Sequence, residues 1–391
     1  LFLSTLLFRS GIKGLQFKLL GGLQRGYWSW SKDSYVGGTD LEINMDQYCK
    51  ALQEKNITWM LGGSYVLKYE RDEDIVLPGT VYRLALPLTV HALDVRSRFQ
   101  LGDYSLLAEY AWKTQDPSQD NGYIYHRGNA VMLSGSYSKR GLSILAQAKR
   151  SDNMAFRSQR TKQGTSLFIN NMPAFAYQHT YALPALYPYA TQAAGGEWAF
   201  QGEVSYLFKR NTALGGKYGT KVKVNFSHVR GLDKQPVDQY EGSYYGTDGY
   251  TSKFFKMGDK YYQDINVQLE KKFTKSFKLN LMYMNQYYNQ AVIEKHGSSI
   301  KSNIAVVEGK YQFNNKLTLR GEYQYLATKD DEGDWMYGLL ELSVQPHWMF
   351  TVSDMWNNGE TNLHYYMGSV TFNYNAHRLM LGYGRTDRKS V

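Results

Sequence analysis

The sequence contains no long run of apolar residues. A membrane-spanning helix needs roughly 20 consecutive, mostly apolar residues, whereas the best stretch, residues 1–8, is interrupted by Ser4 and Thr5. Mean hydropathy over the chain is −0.50. The sequence therefore predicts no transmembrane helix. This absence does not exclude a membrane-spanning β-barrel. The strands of a closed barrel satisfy their hydrogen bonds in lipid and are only mildly hydrophobic.

Cysteine is nearly absent, and no familiar catalytic or cofactor motif is present. The one cysteine, Cys49, excludes an intramolecular disulfide within this sequence and a multi-cysteine zinc site. The 8 histidines are scattered without metal-ligand spacing, and no phosphate-binding loop, HExxH or GxSxG motif occurs. We therefore expect no metal and no cofactor.

Positive charge is in excess but is not concentrated. The formal net charge is +10, and the lysines and arginines are spread among acidic residues without forming a basic block. Basic blocks are typical of nucleic-acid binding, so we expect no nucleic-acid partner.

The most prominent feature that is present is a two-residue alternation of apolar and polar residues. Within 316–325, Leu317 and Tyr323 fall on one face of a strand, and Arg320 and Glu322 fall on the other. Successive side chains of a strand point to opposite faces, so the pattern predicts a sheet with one apolar and one charged face. Aromatic residues make up 15% of the chain, with 34 tyrosines, which suits a sheet between two different solvents.

The alternation recurs along the chain and predicts seventeen strands. They are placed near 14–27, 38–48, 57–69, 90–101, 103–114, 128–138, 141–150, 196–209, 218–229, 261–273, 276–288, 302–314, 316–328, 334–345, 347–356, 363–374 and 376–386. Short connections alternate with long ones, which is typical of outer-membrane barrels with periplasmic turns and external loops.

These patterns predict an all-β fold for residues 1–391: a single antiparallel transmembrane β-barrel of at least about 16 strands. Short periplasmic turns and long extracellular loops, the longest at 151–195 and 230–260, connect the strands. The expected location is the bacterial outer membrane, with outer-membrane lipid as a partner. The tail 385–391 is not an aromatic-ended strand, so we expect the sequence to lack its natural end, and its start as well.

Aromatic residues near the predicted strand ends are expected to form girdles at the two membrane interfaces. Packing at strand ends is the alternative. The set is Tyr27, Trp28, Trp59, Trp112, Tyr287, Tyr288, Trp335 and Trp356.

Several segments resemble a known group of sequences. They are Lys149–Ser158, Gln178–Leu183, Tyr187–Gln192, Gly215–Thr220 and Leu381–Arg385. Together they resemble an uncharacterised family of outer-membrane barrels from Bacteroidota-type bacteria, along most of the chain. The resemblance implies the fold and the location, and it implies no activity and no functional residues.

Charged residues of both signs occupy the face opposite the apolar one, and we assign them to the barrel lumen. The set is Lys18, Asp94, Arg96, Arg98, Glu109, Lys149, Glu203, Lys221, Lys223, Glu270, Glu308, Lys310, Arg320, Glu322 and Glu341. Such a mixture lines a water-filled channel, or its members neutralise one another across a narrow lumen. The alternative, that a lumen simply needs hydrophilic side chains, carries equal weight.

The two longest loops are rich in aromatic residues. The candidates for interaction are Phe168, Phe175, Tyr177, Tyr181, Tyr187, Tyr189, Tyr240, Tyr244, Tyr245 and Tyr250. Loop 151–195 is too long for a bare linker. It is expected to form a constriction inside the barrel, or to dock a partner or a glycan by aromatic stacking. Packing of one loop against the other is equally compatible.

Three functional hypotheses follow. The first is a non-enzymatic, porin-like passage for small polar solutes. The second is an accessory barrel of a larger outer-membrane assembly, which docks other outer-membrane or periplasmic proteins through its aromatic loops. The weakest is an enzyme at the barrel rim that uses Asp354 and His364 as an acid/base pair.

Overall fold

The computed structural model describes residues 2–9, 12–24, 34–164, 166–191, 195–237 and 244–385, with side chains from residue 12 onward. The strands of this part of the chain are β1 Phe2–Arg9, β2 Leu15–Leu23, β3 Ser34–Asn44, β4 Ile57–Glu70, β5 Thr89–Leu101, β6 Tyr104–Lys113, β7 Gly128–Lys139, β8 Leu142–Asp152, β9 Glu197–Phe208, β10 Thr220–Pro236, β11 Tyr250–Lys272, β12 Phe277–Asn289, β13 Ser299–Gln312, β14 Leu317–Thr328, β15 Trp335–Val344, β16 Trp348–Asn357, β17 His364–Tyr374 and β18 His377–Gly384. Two short helices, α1 Lys50–Glu54 and α2 Gln290–Ile293, lie in connections.

The strands form one antiparallel meander, in which each strand pairs with the next along the chain. Within the described residues β1 pairs with β2 alone and β18 with β17 alone, so the 18-stranded sheet is open between its first and last strands. The predicted all-β, antiparallel fold with at least 16 strands is confirmed.

All seventeen predicted strands are present, and the deviations have clear causes. The prediction missed β1, because its apolar run does not alternate. Strands β10 and β11 extend well past their predicted ends through a series of β-bulges. The predicted loop 230–260 is therefore largely a β-hairpin. The two-residue alternation is lost at the bulges, since each adds an unpaired residue to one strand.

Connections alternate in length, as predicted. One end of the sheet has 102–103, 140–141, 273–276, 313–316, 345–347 and 375–376, together with the longer 45–56 and 209–219. We call it the short-turn end. The opposite end, called the loop end, has 71–88, 114–127, 153–196, 237–249, 290–298, 329–334 and 358–363. No helix in the described ranges is long and apolar enough to cross a membrane.

One face of the sheet exposes an apolar belt, which continues from strand to strand. Its exposed side chains include Leu93, Val95, Leu106, Leu133, Val204, Val224, Ile265, Leu281, Val307, Tyr323, Leu340, Val352, Val370 and Leu381. These residues are register partners or near neighbours across adjacent strands, for example Leu281 opposite Val307. Soluble monomers rarely expose contiguous apolar patches larger than a few hundred Å².

Aromatic pairs border the belt at the short-turn end. Ring centroids are 4.7 Å apart for Tyr104 and Tyr137, 4.9 Å for Tyr311 and Phe313, and 4.8 Å for Trp348 and Phe372. Each pair lies within a few residues of a connection on that end.

Two of the predicted girdle residues are on the other face of the sheet. Tyr288 and Trp335 are 3% and 1% exposed, inside a hydrophobic cluster, so a girdle role for them is wrong. Alternation explains this for Tyr288, because it follows Tyr287 directly and must point to the opposite face. Trp59, Trp112 and Trp356 are on the belt face, and 27–28 lie outside the described residues.

Candidate functional site

Segment 153–196, which connects β8 to β9, packs against the face of the sheet opposite the apolar belt. We call this the inner face. Leu183 of the segment is completely buried. It belongs to a cluster that also contains Phe175, Ala176, Tyr187, Tyr189, Tyr262, Met282, Met284, Tyr288, Ile300, Ile304, Val306, Leu326, Trp335 and Met355. Apolar side chains of β11 to β16 thus hold the segment.

Hydrogen bonds fix the segment on β10, β12 and β14. The backbone N–H of Leu183 donates to Oε1 of Gln324 at 2.8 Å. The backbone N–H of Tyr177 donates to Oγ of Ser227 at 3.0 Å. Gln286, wholly buried, donates from Nε2 to the carbonyl oxygen of Tyr187 at 3.1 Å. Buried backbone groups of a connection need such partners, and here the inner-face side chains provide them.

Tyr187 connects the segment to a neighbouring loop. Its hydroxyl donates to Oδ2 of Asp331 at 2.9 Å. Burial, together with the carboxylate of Asp331, raises the pKa of Tyr187 well above its ordinary value. The phenol therefore stays protonated and remains a donor over the physiological pH range.

A cluster of buried charges holds the other side of the segment. Arg160 lies against Glu70 at the end of β4, with Nε 3.1 Å from Oε2. Lys68 Nζ lies 3.2 Å from Glu70 Oε2 and 2.7 Å from Asp116 Oδ1, and Lys113 Nζ lies 3.5 Å from Asp116 Oδ2. All five side chains are essentially inaccessible to water. We call these residues the charge cluster.

The charge cluster balances a strong desolvation penalty by pairing. Burial alone would raise the pKa of Asp116, but the ammonium groups of Lys68 and Lys113 outweigh it and lower that pKa. The ring of Phe156 lies 5.9 Å from Lys68 Nζ and 5.6 Å from Lys113 Nζ. Cation–π contacts of this kind strengthen where water is excluded.

The fifteen charged residues assigned from the sequence all occupy inner-face positions of their strands. Several form ion pairs. Lys149 Nζ is 2.7 Å from Glu197 Oε1, and Lys223 Nζ is 3.5 Å from Glu203 Oε1. Glu270 pairs with Lys278 at 3.0 Å. Inner-face charge is thus largely arranged as neutralising pairs.

Arg96 is at the centre of the largest network on β2 to β6. Its guanidinium crosses β4 to reach Asp40 and Glu42 of β3, and it donates to Asp94 at 2.8 Å on its own strand. Gly62 makes this possible, since a Cβ there would lie 2.8 Å from Nε of Arg96. Lys18, 2.9 Å from Asp40, and Glu109, opposite Arg96, complete the group. Sequence reasoning missed Asp40 and Glu42, although both alternate with apolar residues of β3.

Arg320 forms a second network on β13 to β15. Its guanidinium lies 3.5 Å from Glu308, 3.4 Å from Glu322 and 4.0 Å from Glu341. Lys310 is opposite Arg320 in the strand register. Lys221 is likewise opposite Glu270, and Arg98 is opposite Met60 and Leu107.

Most aromatic candidates of loop 151–195 are packed inward. Phe175, Tyr187 and Tyr189 are buried, and Tyr177 and Tyr181 are partly buried. The ammonium group of Lys223 lies 5.2 Å from the centroid of the Tyr177 ring. Phe168 is exposed and stacks 3.6 Å from the guanidinium of Arg157. These side chains stabilise the segment itself and, Phe168 apart, do not form a free docking surface.

The aromatic candidates of loop 230–260 mostly contact other loops. Tyr250 is buried and donates to Oδ1 of Asp152 at 2.7 Å. The rings of Tyr245 and Tyr123 are in tilted contact with 5.1 Å between centroids, and burial raises the pKa of Tyr123 to about 12. Tyr244 is exposed, and residue 240 lies outside the described ranges.

Asp354 and His364 do come together, but on the belt face. His364 Nδ1 is 2.7 Å from Asp354 Oδ2, and its ring stacks on Trp356 at 5.3 Å. Both side chains are about half exposed. The described residues contain no group of three or more His, Cys, Asp or Glu arranged to hold a metal ion.

Comparison with known proteins identifies the family to which this chain belongs. A model of a family of unknown function, DUF6029, matches residues 7–389. The chain belongs to this family. DUF6029 membership carries no activity with it, and no curated protein matches the sequence.

Solved structures of several outer-membrane proteins show a distant similarity to this member of DUF6029. The open form of the ferric-catecholate import receptor Fiu of E. coli K12 is 10% identical, with a TM-score of 0.36 over 97% of this chain and 67% of that one. A mutant of the ferric enterobactin receptor PfeA of Pseudomonas aeruginosa is 10% identical, with a TM-score of 0.43 over 87% of this chain and 53% of that one. A triple mutant of the Rhodopseudomonas blastica porin is 9% identical, with a TM-score of 0.31 over 95% of this chain and 100% of that one.

Proposed function

We propose that the chain spans the outer membrane of a Gram-negative bacterium, of the Bacteroidota type, as a non-enzymatic passage for small polar solutes. Segment 153–196, which packs on the inner face, restricts that passage. The observation that carries the proposal is the contrast between the two faces. One is an exposed apolar belt, and the other has paired charges and a folded-in connection.

The belt supports the membrane part of the proposal. Lipid-facing side chains of a barrel are apolar and alternate with polar inner ones. Arginine on the lipid face at mid-membrane costs about 2–4 kcal/mol. A change to arginine at an equally exposed position that faces water costs little stability.

Leu340→Arg, in the middle of β15, is therefore expected to prevent or greatly reduce insertion into vesicles. Leu214→Arg, in the connection 209–219, is the matched control, because the two leucines are 55% and 63% exposed. Folding yield in lipid vesicles, followed by heat-modifiable mobility on gels, measures the effect. Equal yields for the two variants would contradict a lipid-facing belt.

The restricted passage is supported by the way in which the segment is held. Its contacts with β10 to β14 are non-covalent, and the paired charges of the Arg96 and Arg320 networks are on the same inner face. A polar wall of this kind suits water and small polar solutes. Displacing the segment is thus expected to widen the opening without breaking the sheet.

Replacing residues 171–188 by a flexible Gly-Ser linker of about ten residues tests this directly. The deletion keeps the charge cluster and Tyr189, and it removes Phe175, Leu183 and Tyr187. We expect a small, steady conductance in planar bilayers for the wild type and a several-fold larger one for the deletion. Silence of both proteins, after confirmed insertion, would refute a passage.

The accessory-barrel hypothesis receives less support. It relied on exposed aromatic loops, whereas Phe175, Tyr187, Tyr189 and Tyr250 are packed inside the protein. Phe168 and Tyr244 remain exposed. Co-purification of a defined partner with a silent protein would favour this second role.

A further inference from the structure

Three cations form a group on the belt face, near the loop end of β10 to β13. Arg230 of β10 is directly opposite Lys260 of β11. Lys260 Nζ lies 3.8 Å from the centroid of the Tyr287 ring, and Tyr287 is directly opposite Lys301 of β13. Arg230 and Lys301 both lie near enough to Lys260 to repel its charge. We call them the basic trio.

The basic trio has no carboxylate partner within 4 Å in the part of the chain that the structure describes. Asp330 is near, but it accepts from the backbone N–H of Lys301 at 2.9 Å. Asp259 directly precedes Lys260 in the chain and is exposed. Three adjacent cations without a paired anion mark a place for an external one.

On the belt face below the trio, the side chains change from apolar to charged in ordered steps along the strands. Along β12 and β13 the belt-face register pairs are Leu281 with Val307, Tyr283 with Ala305, Asn285 with Asn303, and Tyr287 with Lys301. Each step is two residues, or roughly 6.7 Å. The order is apolar, then aromatic, then amide, then cationic.

The neighbouring pair of strands repeats the same order. Along β10 and β11 the pairs are Val224 with Val267, Phe226 with Ile265, His228 with Gln263, and Arg230 with Lys260. The polar layer is preorganised, since Asn303 Oδ1 accepts from Tyr283 Oη at 2.8 Å and from Asn285 Nδ2 at 3.0 Å. His228 and Gln263 also contact each other at 3.1 Å.

We propose that this surface binds a phosphorylated membrane lipid, with its acyl chains on the belt, its polar linkage on the amide layer and its phosphate on the basic trio. The sequence of layers matches the sequence of groups in such a lipid, from hydrocarbon to phosphate. An open groove of ≈ 790 Å³ adjoins the trio and offers room for a headgroup. Its lining includes Lys301, Asn303 and Lys329 and also the carboxylates of Asp330 and Asp334. The inference rests on the proposed membrane location and does not depend on solute passage.

Each lysine near an anionic lipid contributes about 1 kcal/mol, which is about fivefold in affinity. The variant Lys260→Gln with Lys301→Gln is therefore expected to bind the lipid roughly thirtyfold more weakly than the wild type. Arg230 is left in place, because its Nε also donates to the carbonyl oxygen of Gly258 at 2.9 Å. The control, Lys50→Gln with Lys55→Gln, removes two exposed charges at the short-turn end.

The full chain is inserted into phosphatidylcholine vesicles that contain lipid A or its fully dephosphorylated form, and retained lipid is counted by native mass spectrometry. Retention of lipid A by the wild type and the control, with loss in the Lys260/Lys301 variant, supports the site. The site is overturned if all three proteins retain lipid A equally. It is also overturned if the wild type retains the dephosphorylated lipid as well as it retains lipid A. Displacement of lipid A by millimolar inorganic phosphate would overturn the lipid assignment.

Insertion is verified first, so the two proposals fail separately. A chain that does not insert contradicts the membrane location itself. A chain that inserts, and conducts, but shows no preference for the phosphorylated lipid contradicts only the basic trio as a lipid site.

Discussion

Leu183→Asp is expected to convert the restricted passage into an open one. Leu183 is completely buried among apolar side chains, and its backbone N–H is bonded to Gln324. The change loses about 1.5–3 kcal/mol of apolar burial and adds the cost of a buried charge, several kcal/mol more. Because about 1.4 kcal/mol shifts an equilibrium tenfold, the segment is expected to leave the inner face in most molecules.

The measurement is single-channel conductance in planar bilayers, beside the deletion of 171–188. We expect Leu183→Asp to approach the conductance of the deletion. Thr180→Asp is the matched control, because Thr180 is exposed on the same segment. The carboxylate introduced there stays in water. If Thr180→Asp opened the passage as much as Leu183→Asp, the effect would come from added charge and not from release of the segment.

Glu70→Gln is expected to loosen the other anchor of segment 153–196. Glu70 Oε1 accepts the backbone N–H of Arg160 at 2.8 Å, and Oε2 faces Lys68 and the Arg160 side chain. Removing the negative charge leaves buried cations with one counter-charge fewer. Breaking a buried pair from one side costs roughly 3–5 kcal/mol. Urea unfolding in vesicles is expected to show a loss of this order.

Trypsin provides a local readout for the same variant. Lys162 is exposed in the wild type, whereas Arg157 and Arg160 are buried. We therefore expect cleavage after Lys162 in both proteins and new cleavage after Arg160 in Glu70→Gln alone. Glu270→Gln is the control, because its partner Lys278 is solvent-exposed and such pairs contribute about 1 kcal/mol or less. An unchanged digest of Glu70→Gln would show that Glu70 does not hold the segment.

The sequence was a good guide wherever neighbouring residues alternate strictly. Val307 and Glu308, or Leu319 and Arg320, are adjacent in the chain and on opposite faces, as their pattern predicted. Alternation is a local property of extended backbone, so no tertiary contact is needed to recognise it. The fifteen charged inner-face positions followed for the same reason.

The candidate site was harder to anticipate. The inner face was predicted to be polar, yet Met282, Met284, Ile300 and Ile304 are apolar and buried there. On those strands apolar residues occupy both faces, and the sequence does not say which of them meets lipid and which meets another part of the chain. The missing partner, segment 153–196, lies more than 80 positions earlier in the chain.

The sequence by itself determined all strands of the described residues except β1, their antiparallel order, the alternation of short and long connections and the division into an apolar and a charged face. Each of these depends on residues that are close together in the chain. Only the tertiary structure decided that segment 153–196 folds onto the inner face, that Arg160 pairs with Glu70, and that Arg230, Lys260 and Lys301 meet on the belt face. Such contacts join residues that are distant in sequence, and their energies come from burial and pairing that no local pattern encodes.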